Sequence, residues 1–175
     1  MRFFILTICL TFFANISYAE EQTELEKFSA KTGIVKIMGY TEAGKVLAGD
    51  RSYSNYISFQ ARILGTPNKP ETTKGILISV TDKDGYSGNS FIDEDEIDDL
   101  LSGIEYISKA TKDITSLDQF EIDYTTLGNF EITVFSKNDG SLGLFVQSGS
   151  RSVRPSFDSL PLIVEKIKEA KALLN

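Results

Sequence analysis

The sequence predicts an α+β domain: an antiparallel β-sheet of about six to seven strands with two α-helices packed on it. Segments in which apolar and polar residues alternate occur in two groups, and an amphipathic helical pattern follows each group. Separate runs of strands and helices are typical of antiparallel sheets covered by helices on one face. The two helical patterns superpose at an offset of 63 residues. This match favours two strands-then-helix repeats, β-β-β-α twice.

The chain begins with the layout of a secretory signal peptide. Arg2 precedes an apolar run over residues 3–13, and Ser17 and Ala19 are small residues just before Glu20. The apolar run is shorter than the roughly 20 residues that a membrane-spanning helix needs. We therefore expect cleavage after Ala19 and a periplasmic or secreted mature protein.

Cleavage would leave a mature chain without Cys, His or Trp, since Cys9 is the single cysteine. Too little sequence precedes Cys9 for a lipoprotein signal, so we expect no stable membrane anchor. A fold without disulfides must be held by packing alone, and this absence fits a bacterial exported protein. We expect a polar segment over residues 20–32 and a single α+β domain over residues 33–175.

The predicted mature chain is strongly acidic. Removal of residues 1–19 takes away one Arg and no acid, which leaves 17 basic and 25 acidic residues and a net charge of −8. Such a chain is repelled by phosphate backbones and anionic lipid. We therefore expect no nucleic-acid partner, and the partner class that remains is an unknown protein or small ligand.

The first group of strands follows a short polar segment. Leu25 and Phe28 have a spacing that allows one docked helical turn. The stretch IVKIMGY predicts a strand, EAGK a turn and VLAG a possible short strand. Residues 55–64 alternate most clearly, and residues 75–80 predict the next strand. The apolar face of residues 55–64 contains Ile57, Phe59, Ala61 and Ile63.

Residues 81–98, TDKDGYSGNSFIDEDEID, are dense in carboxylates but do not match an EF-hand. If Asp82 takes the first ligand position, Tyr86 takes another ligand position and Ser87 that of the required glycine. If Gly85 is that glycine, Val80 and Phe91 occupy the first and last ligand positions. The stretch is better explained as local structure, without a metal.

The local structure that we predict for this acidic stretch consists of turns and a helix start. Residues 82–85 form a turn after a strand, and residues 88–90 form a second turn. Asp93, with Glu96 three residues later, is a capping arrangement for the following helix. An irregular calcium site built from Asp82, Asp84 and Asp93 is the alternative.

Two amphipathic helices are predicted from apolar stripes with spacings of three and four. The first stripe contains Ile97, Leu100, Leu101, Ile104 and Ile107, and the second Leu160, Ile163, Val164, Ile167, Ala170 and Leu174. Asp158 or Ser159 is expected to cap the second helix, with Pro161 in its first turn.

Three strands are predicted between these helices. FEIDY and FEITVF are joined by a turn at residues 126–129, and residues 137–140 form a hairpin turn before LGLFVQ. The inward side chains are expected to be Phe120, Ile122, Tyr124, Phe130, Ile132 and Val134. The following SGSRSVRPS reads as a polar loop.

The residue types limit the chemistry that the mature chain can perform. Without His or Cys, the usual triads, cysteine nucleophiles and zinc sites cannot be built, but catalysis could still use paired carboxylates or a Ser–Lys pair. We predict no catalytic residue, cofactor or metal site. Glu121, Asp123 and Glu131 are predicted to share the outward face of adjacent strands. A small carboxylate-dependent hydrolase is therefore one alternative function, and a calcium-stabilised module is another.

Two features favour a binding function. Arg151 and Arg154 are the only local basic spot and are predicted to contact an anion or an acidic partner, or to offset nearby acids. Aromatic residues are expected on both sheet faces, and they are Tyr53, Tyr56, Phe59, Phe130 and Phe135. The leading hypothesis is a non-catalytic exported bacterial domain that binds its ligand on the sheet face or at the Arg151–Arg154 loop.

Overall fold

The computed structural model describes residues 21–49 and 55–175, and the α+β class is confirmed in these residues. The predicted signal peptide and Tyr53 lie outside the described residues. No helix within the described part of the chain combines the length and the apolar character needed to cross a membrane.

The described residues form three α-helices and eight strands, in the order α1 (Glu24–Ala30), β1 (Ile37–Leu47), β2 (Tyr56–Gly65), β3 (Thr72–Thr81), β4 (Ser87–Asp93), α2 (Ile97–Ser108), β5 (Glu121–Thr125), β6 (Phe130–Ser136), β7 (Leu142–Ser148), β8 (Arg151–Val153) and α3 (Leu160–Ala172). Strands β1–β4 form sheet A and β5–β8 form sheet B, and consecutive strands pair antiparallel in both. The prediction of one sheet with six to seven strands and two helices is therefore wrong in its detail.

Each long helix covers the sheet of the other half of the chain. Helix α2 follows sheet A but packs against β5 and β6, whereas α3 follows sheet B and packs against β1, β2 and β3. The two helices also contact each other. Because the inner faces of both sheets share one core with both helices, neither sheet buries its apolar face without the other half.

The repeat predicted from the helical stripes has a structural counterpart, although each repeat has four strands and not three. The buried residues of α2 are Ile97, Leu100, Ile104 and Ile107, and those of α3 are Leu160, Ile163, Ile167 and Ala170. The two sets correspond pairwise at the offset of 63 residues. The same periodicity therefore places equivalent side chains of both helices in the core.

The sequence prediction missed two strands, β4 and β8. Residues 88–90 form part of β4 and not a turn, and Gly88 and Ser90 are buried there because they face sheet B. Strand β8 lies inside the stretch predicted as a polar loop. In β4 the buried Gly and Ser are not clearly more apolar than the exposed residues between them, so the sequence shows no period-two alternation of hydropathy there.

Strand β1 is continuous across the stretch predicted as a turn. Glu42 pairs with Gln60 and Gly44 with Phe59, so Ala43 is the extra residue of a β-bulge. Gly44 has a φ of 132°, a conformation that a residue with a side chain rarely adopts. The small residues that indicated a turn serve a bulge instead.

Other local predictions are confirmed. The inward faces of β2, β5 and β6 are as predicted. The turn before β6 has Asn129 at a φ of 59°, and the hairpin before β7 has Gly140 at 83°. Pro161 lies in the first turn of α3, but neither Asp158 nor Ser159 provides a side-chain cap. Ser156 instead caps the short 3-10 turn Phe157–Ser159, which leads into the helix.

Helix α1 is the docked helical turn predicted from Leu25 and Phe28, and it lies on the face of sheet A that is remote from α3. Both side chains are buried there with Leu64, and Phe91 packs against them. Thr23 and Glu26 form a reciprocal capping box at its start. Sheet A is therefore covered on both faces near the end formed by Leu64 and Asp93.

Candidate functional site

The two sheets meet through a buried polar junction, which fixes the position of the loop that carries the predicted arginines. The Ser148 hydroxyl donates to the carbonyl oxygen of Ile78 at 2.8 Å and lies 3.0 Å from the Ser90 hydroxyl. The Gly149 N–H donates to the Ser90 hydroxyl at 3.2 Å. Because the two serine hydroxyls are buried and hydrogen-bonded, they tie the β7–β8 turn to sheet A.

Arg151 contacts sheet A, although its side chain is still 40% exposed. Its Nη1 lies 3.4 Å from Oδ2 of Asp82, and its guanidinium lies over the Tyr86 ring at 5.0 Å. Asp82 and Tyr86 belong to the β3–β4 hairpin. The interpretation that an arginine of this loop offsets nearby acids therefore holds for Arg151, which links the two sheets.

Arg154 points away from Arg151, although the two are only three residues apart. Its guanidinium lies over the Phe145 ring at 5.9 Å, on the outer face of sheet B. The side chain is exposed and forms no ion pair with any described residue. The structure therefore does not bring the two predicted arginines together. Of the two, only Arg154 is without an ion pair in the described part of the chain.

Arg154 lies between two adjoining clefts on the outer face of sheet B. One has a volume of about 530 Å³, and the other about 470 Å³. Phe135 and Arg154 line both of them. Glu121 contributes to the first, while Lys137 and Asp158 contribute to the second. We call this surface, with Phe145, the Arg154 cleft; its four charged side chains balance.

A glycine shapes the aromatic floor of the Arg154 cleft. A Cβ atom on Gly143 would lie 2.3 Å from the Phe135 ring, so the ring rests directly on the backbone of β7. Phe135 and Phe145 are both partly exposed on this face. The cleft therefore combines two cations that form no ion pair in the described chain, Arg154 and Lys137, with two aromatic surfaces. Sequence periodicity indicated this combination only through Phe135.

The three carboxylates proposed for hydrolysis share this outer face, as predicted. Glu121 is opposite Phe135, Asp123 opposite Thr133 and Glu131 opposite Thr125. Asp123 and Glu131 are therefore diagonal neighbours, at about 7–8 Å between Cα atoms. The Glu131 carboxylate accepts a hydrogen bond from the Thr133 hydroxyl at 2.9 Å.

The carboxylates of the alternative calcium site do not converge. Asp82 Oδ1 accepts hydrogen bonds from the backbone N–H groups of Asp84 and Tyr86, each at 3.0 Å, which is the predicted turn. Asp93 lies at the opposite end of β4, about 20 Å away for a strand of this length. Within residues 21–49 and 55–175, no group of three or more acidic side chains has a geometry suited to a metal ion.

Asp93 and Glu96 do not cap helix α2, contrary to prediction. The Asp93 carboxylate accepts hydrogen bonds from the backbone N–H groups of Glu24 at 2.6 Å and Leu25 at 3.1 Å, so it anchors the start of α1. Glu96 Oε1 accepts from the Leu127 N–H at 2.8 Å and anchors the β5–β6 turn. These partners are distant in sequence, and a local motif cannot reveal them.

Burial of this acidic corner raises the pKa of both carboxyls. Desolvation is the main cause for Asp93 and for Glu96. The backbone hydrogen bonds to each carboxylate oppose the shift, while neighbouring acids add to it. Glu96 Oε2 has no hydrogen-bond partner among the described residues. Ionisation of Glu96 therefore costs more free energy in the folded protein than it does in water.

Glu96→Gln is expected to raise the thermal midpoint at about pH 7.5, and the gain should shrink as pH falls. The pKa of Glu96 in the folded protein is raised above its reference value of 4.5. Protonation of Glu96 therefore stabilises the folded state, fully below pH 4.5, and this stabilisation is lost as pH rises through the folded pKa. Thermal unfolding at a series of pH values measures this. Glu94→Gln, at an exposed neighbour, is the matched control. An equal gain at every pH would contradict the prediction.

Comparison of the chain with protein-family models, curated proteins and solved structures found no significant match in any of the three. The function is therefore argued from the geometry of this structure.

Proposed function

We propose that this chain is a non-catalytic binding domain of an exported bacterial protein and that the Arg154 cleft is its ligand site. The observation that carries the proposal is the Arg154 guanidinium, exposed over the Phe145 ring without an ion pair in the described chain. Such a cation accepts a carboxylate in a charge-assisted, often bidentate hydrogen-bonded pair. The adjoining clefts give space for the rest of a small ligand.

The charge around Arg154 favours a ligand with one carboxylate. Glu121 lines one cleft together with Arg154, and Asp158 lines the other together with Arg154 and Lys137. A ligand with several negative charges would lie against these acids and be repelled. The rings of Phe135 and Phe145 favour an apolar or aromatic group next to the carboxylate. The ligand class is therefore a monocarboxylate with an apolar body.

We expect 3-phenylpropionate to bind the Arg154 cleft and Arg154→Gln to weaken its binding about tenfold or more, since a hydrogen bond to a charged group is lost. Titration followed by backbone amide NMR shifts measures the Kd and locates the probe. Arg151→Gln is the matched control, because it removes the same charge from the contact with Asp82. The neutral probe 3-phenylpropionamide tests the carboxylate itself.

Two affinity results would contradict this ligand site, and so would one result on the location of the shifts. One is equal affinity for the carboxylate and the amide, and the other is a Kd that Arg154→Gln leaves unchanged. Shifts confined to residues outside the cleft would also reject it.

Export is part of the same proposal and rests on the layout of residues 1–19. Intact-mass analysis of the protein recovered outside the cytoplasm tests it. A chain that begins at Glu20 supports cleavage after Ala19, and a chain that retains residues 1–19 contradicts it.

A further inference from the structure

The free edge of sheet A has an unusual concentration of exposed apolar side chains. Strand β1 is an edge strand of sheet A, because among the described residues it pairs only with β2. Five large apolar residues in seven consecutive positions are exposed by 44–68%, and they are Ile34, Val35, Ile37, Met38 and Tyr40. Natural proteins usually protect such an edge with charges, proline or a bulge, since it offers unpaired backbone groups to another strand.

The devices that protect β1 lie beyond this segment. The bulge begins only after Glu42, so residues 37–42 keep a regular register with β2. Helix α3 reaches β1 at the bulge, where Lys166 lies against Gly44. Residues 37–42 contain no proline, and their one charged residue is Glu42 at the end. The regular segment is therefore open to pairing.

The side chains of this edge are held in place from the neighbouring strand. The Arg62 guanidinium lies over the Tyr40 ring at 5.9 Å, and its Nη1 is 3.3 Å from the Met38 sulfur. Arg62 is itself fixed by a 2.8 Å hydrogen bond from its Nε to Gln60 Oε1. Ordering these side chains before association lowers the entropy cost of burying them.

We propose that β1 pairs antiparallel with β1 of a second copy of the chain, with Gly39 on the two-fold axis. In this register Lys36 of each chain is opposite Glu42 of the other, and Met38 is opposite Tyr40. The four side chains lie on one face because they alternate along an extended strand. Two oppositely charged pairs thus flank two apolar pairs.

The charges at the two ends of this segment complement those of a second, antiparallel copy of the same segment, which favours a second copy of the chain as the partner. In a two-fold interface, if Lys36 faces Glu42 of the second copy, then Glu42 must face Lys36 of the second copy. In an antiparallel pair of β1 strands, this condition is met only with Gly39 on the axis. Neither side chain has an ion-pair partner among the described residues; the Lys36 ammonium donates to the Ser29 carbonyl oxygen. Pairing would join the two copies of sheet A into one eight-stranded sheet.

Charge-reversal variants test both the dimer and its register. We expect the purified chain to dimerise, as measured by sedimentation velocity over a concentration series. Intact-mass analysis of the same sample determines the residue at which the chain begins. Lys36→Glu and Glu42→Lys should each raise the dimer Kd about tenfold, because each replaces two attractive cross-strand pairs with two repulsive ones. An equimolar mixture of the two variants should restore the affinity, since every pair is then attractive.

The mixture distinguishes the proposal from damage to the fold, because two misfolded variants would not rescue each other. Lys83→Glu is the matched control, since it makes the same change at an exposed turn residue. A chain that is monomeric throughout the series, with or without residues 1–19, would overturn the proposal. A dimer that the two variants leave unchanged, or whose loss their mixture does not reverse, would also overturn it.

A cysteine placed on the proposed axis gives a second, independent test. Gly39→Cys should form an interchain disulfide under mild oxidation, because directly opposite residues in an antiparallel pair have Cα atoms about 4.5–5.5 Å apart, within disulfide range. Within the described residues, a Cβ atom at Gly39 would meet only the Ile63 carbonyl oxygen, at 3.9 Å. Thr41→Cys is the control, because its counterpart lies about 13 Å away along the partner strand. Equal cross-linking of both variants, or of neither, would reject the register.

Discussion

Separation of the chain after Ser116 is expected to leave two fragments that do not fold alone but fold when mixed. The cut lies in an exposed loop between α2 and β5, where a break in the backbone itself is tolerated. The first fragment keeps sheet A but loses α3, which covers it. Loss of Leu160, Ile163 and Ile167 removes about 1.5–3 kcal/mol of burial each, which together approaches the 5–15 kcal/mol stability of a typical domain.

Circular dichroism and chemical denaturation measure the result. Each fragment alone should lack a cooperative transition, and the equimolar mixture should recover one. A cooperative transition of the first fragment alone would contradict the prediction, because it would show that sheet A folds without the α3 helix that covers it. The intact chain at the same concentration is the reference for the mixture.

Gly88→Ala is expected to destabilise the protein by about 3 kcal/mol, at the upper end of overpacking effects. A Cβ atom at Gly88 would lie 2.0 Å from the Ser148 carbonyl oxygen, and a backbone atom cannot move aside as a flexible side chain would. The clash lies at the buried junction that holds the two sheets together. A loss of this size lowers the thermal midpoint by about 6–12 °C for a domain of this length.

Gly49→Ala is the matched control, since a Cβ atom there meets no atom of the described residues within 4 Å. Its effect should stay within about 1 kcal/mol. Thermal and urea unfolding of both variants measure the difference. If Gly88→Ala is as stable as Gly49→Ala, the two sheets do not approach each other as closely as this structure has them.

The helices and most strands are predictable from the sequence because their signals are local. The stripes at Ile97 and Leu160, the alternation over residues 55–64 and the turn residues near Gly140 depend on periodicities of the chain itself. Strand β4 escapes prediction because Gly88 and Ser90 are buried against a second sheet. The small residues there allow the two sheets to approach closely, and this contact between distant segments cannot be predicted from the sequence of either segment alone.

The candidate site is only partly predictable for the same reason. The sequence alone indicates Arg154 as a basic residue and Phe135 as an aromatic residue suited to binding, and both line the cleft. Arg151 is equally visible, but its contact with Asp82 spans 69 residues, so its role as a link between sheets appears only in three dimensions. Phe145 belongs to the cleft because the pairing of β7 and β8 brings it beside Arg154.

The sequence by itself determined the α+β class, the two equivalent helical stripes and the lack of His in the whole chain. These are properties of composition and of periodicity over short windows. The tertiary structure alone decided that the strands divide into two sheets, that each helix covers the other half's sheet, and that Asp93 and Glu96 anchor remote segments. The physical reason is that burial and long-range hydrogen bonding depend on which surfaces meet, and several pairings of amphipathic elements satisfy the same local pattern.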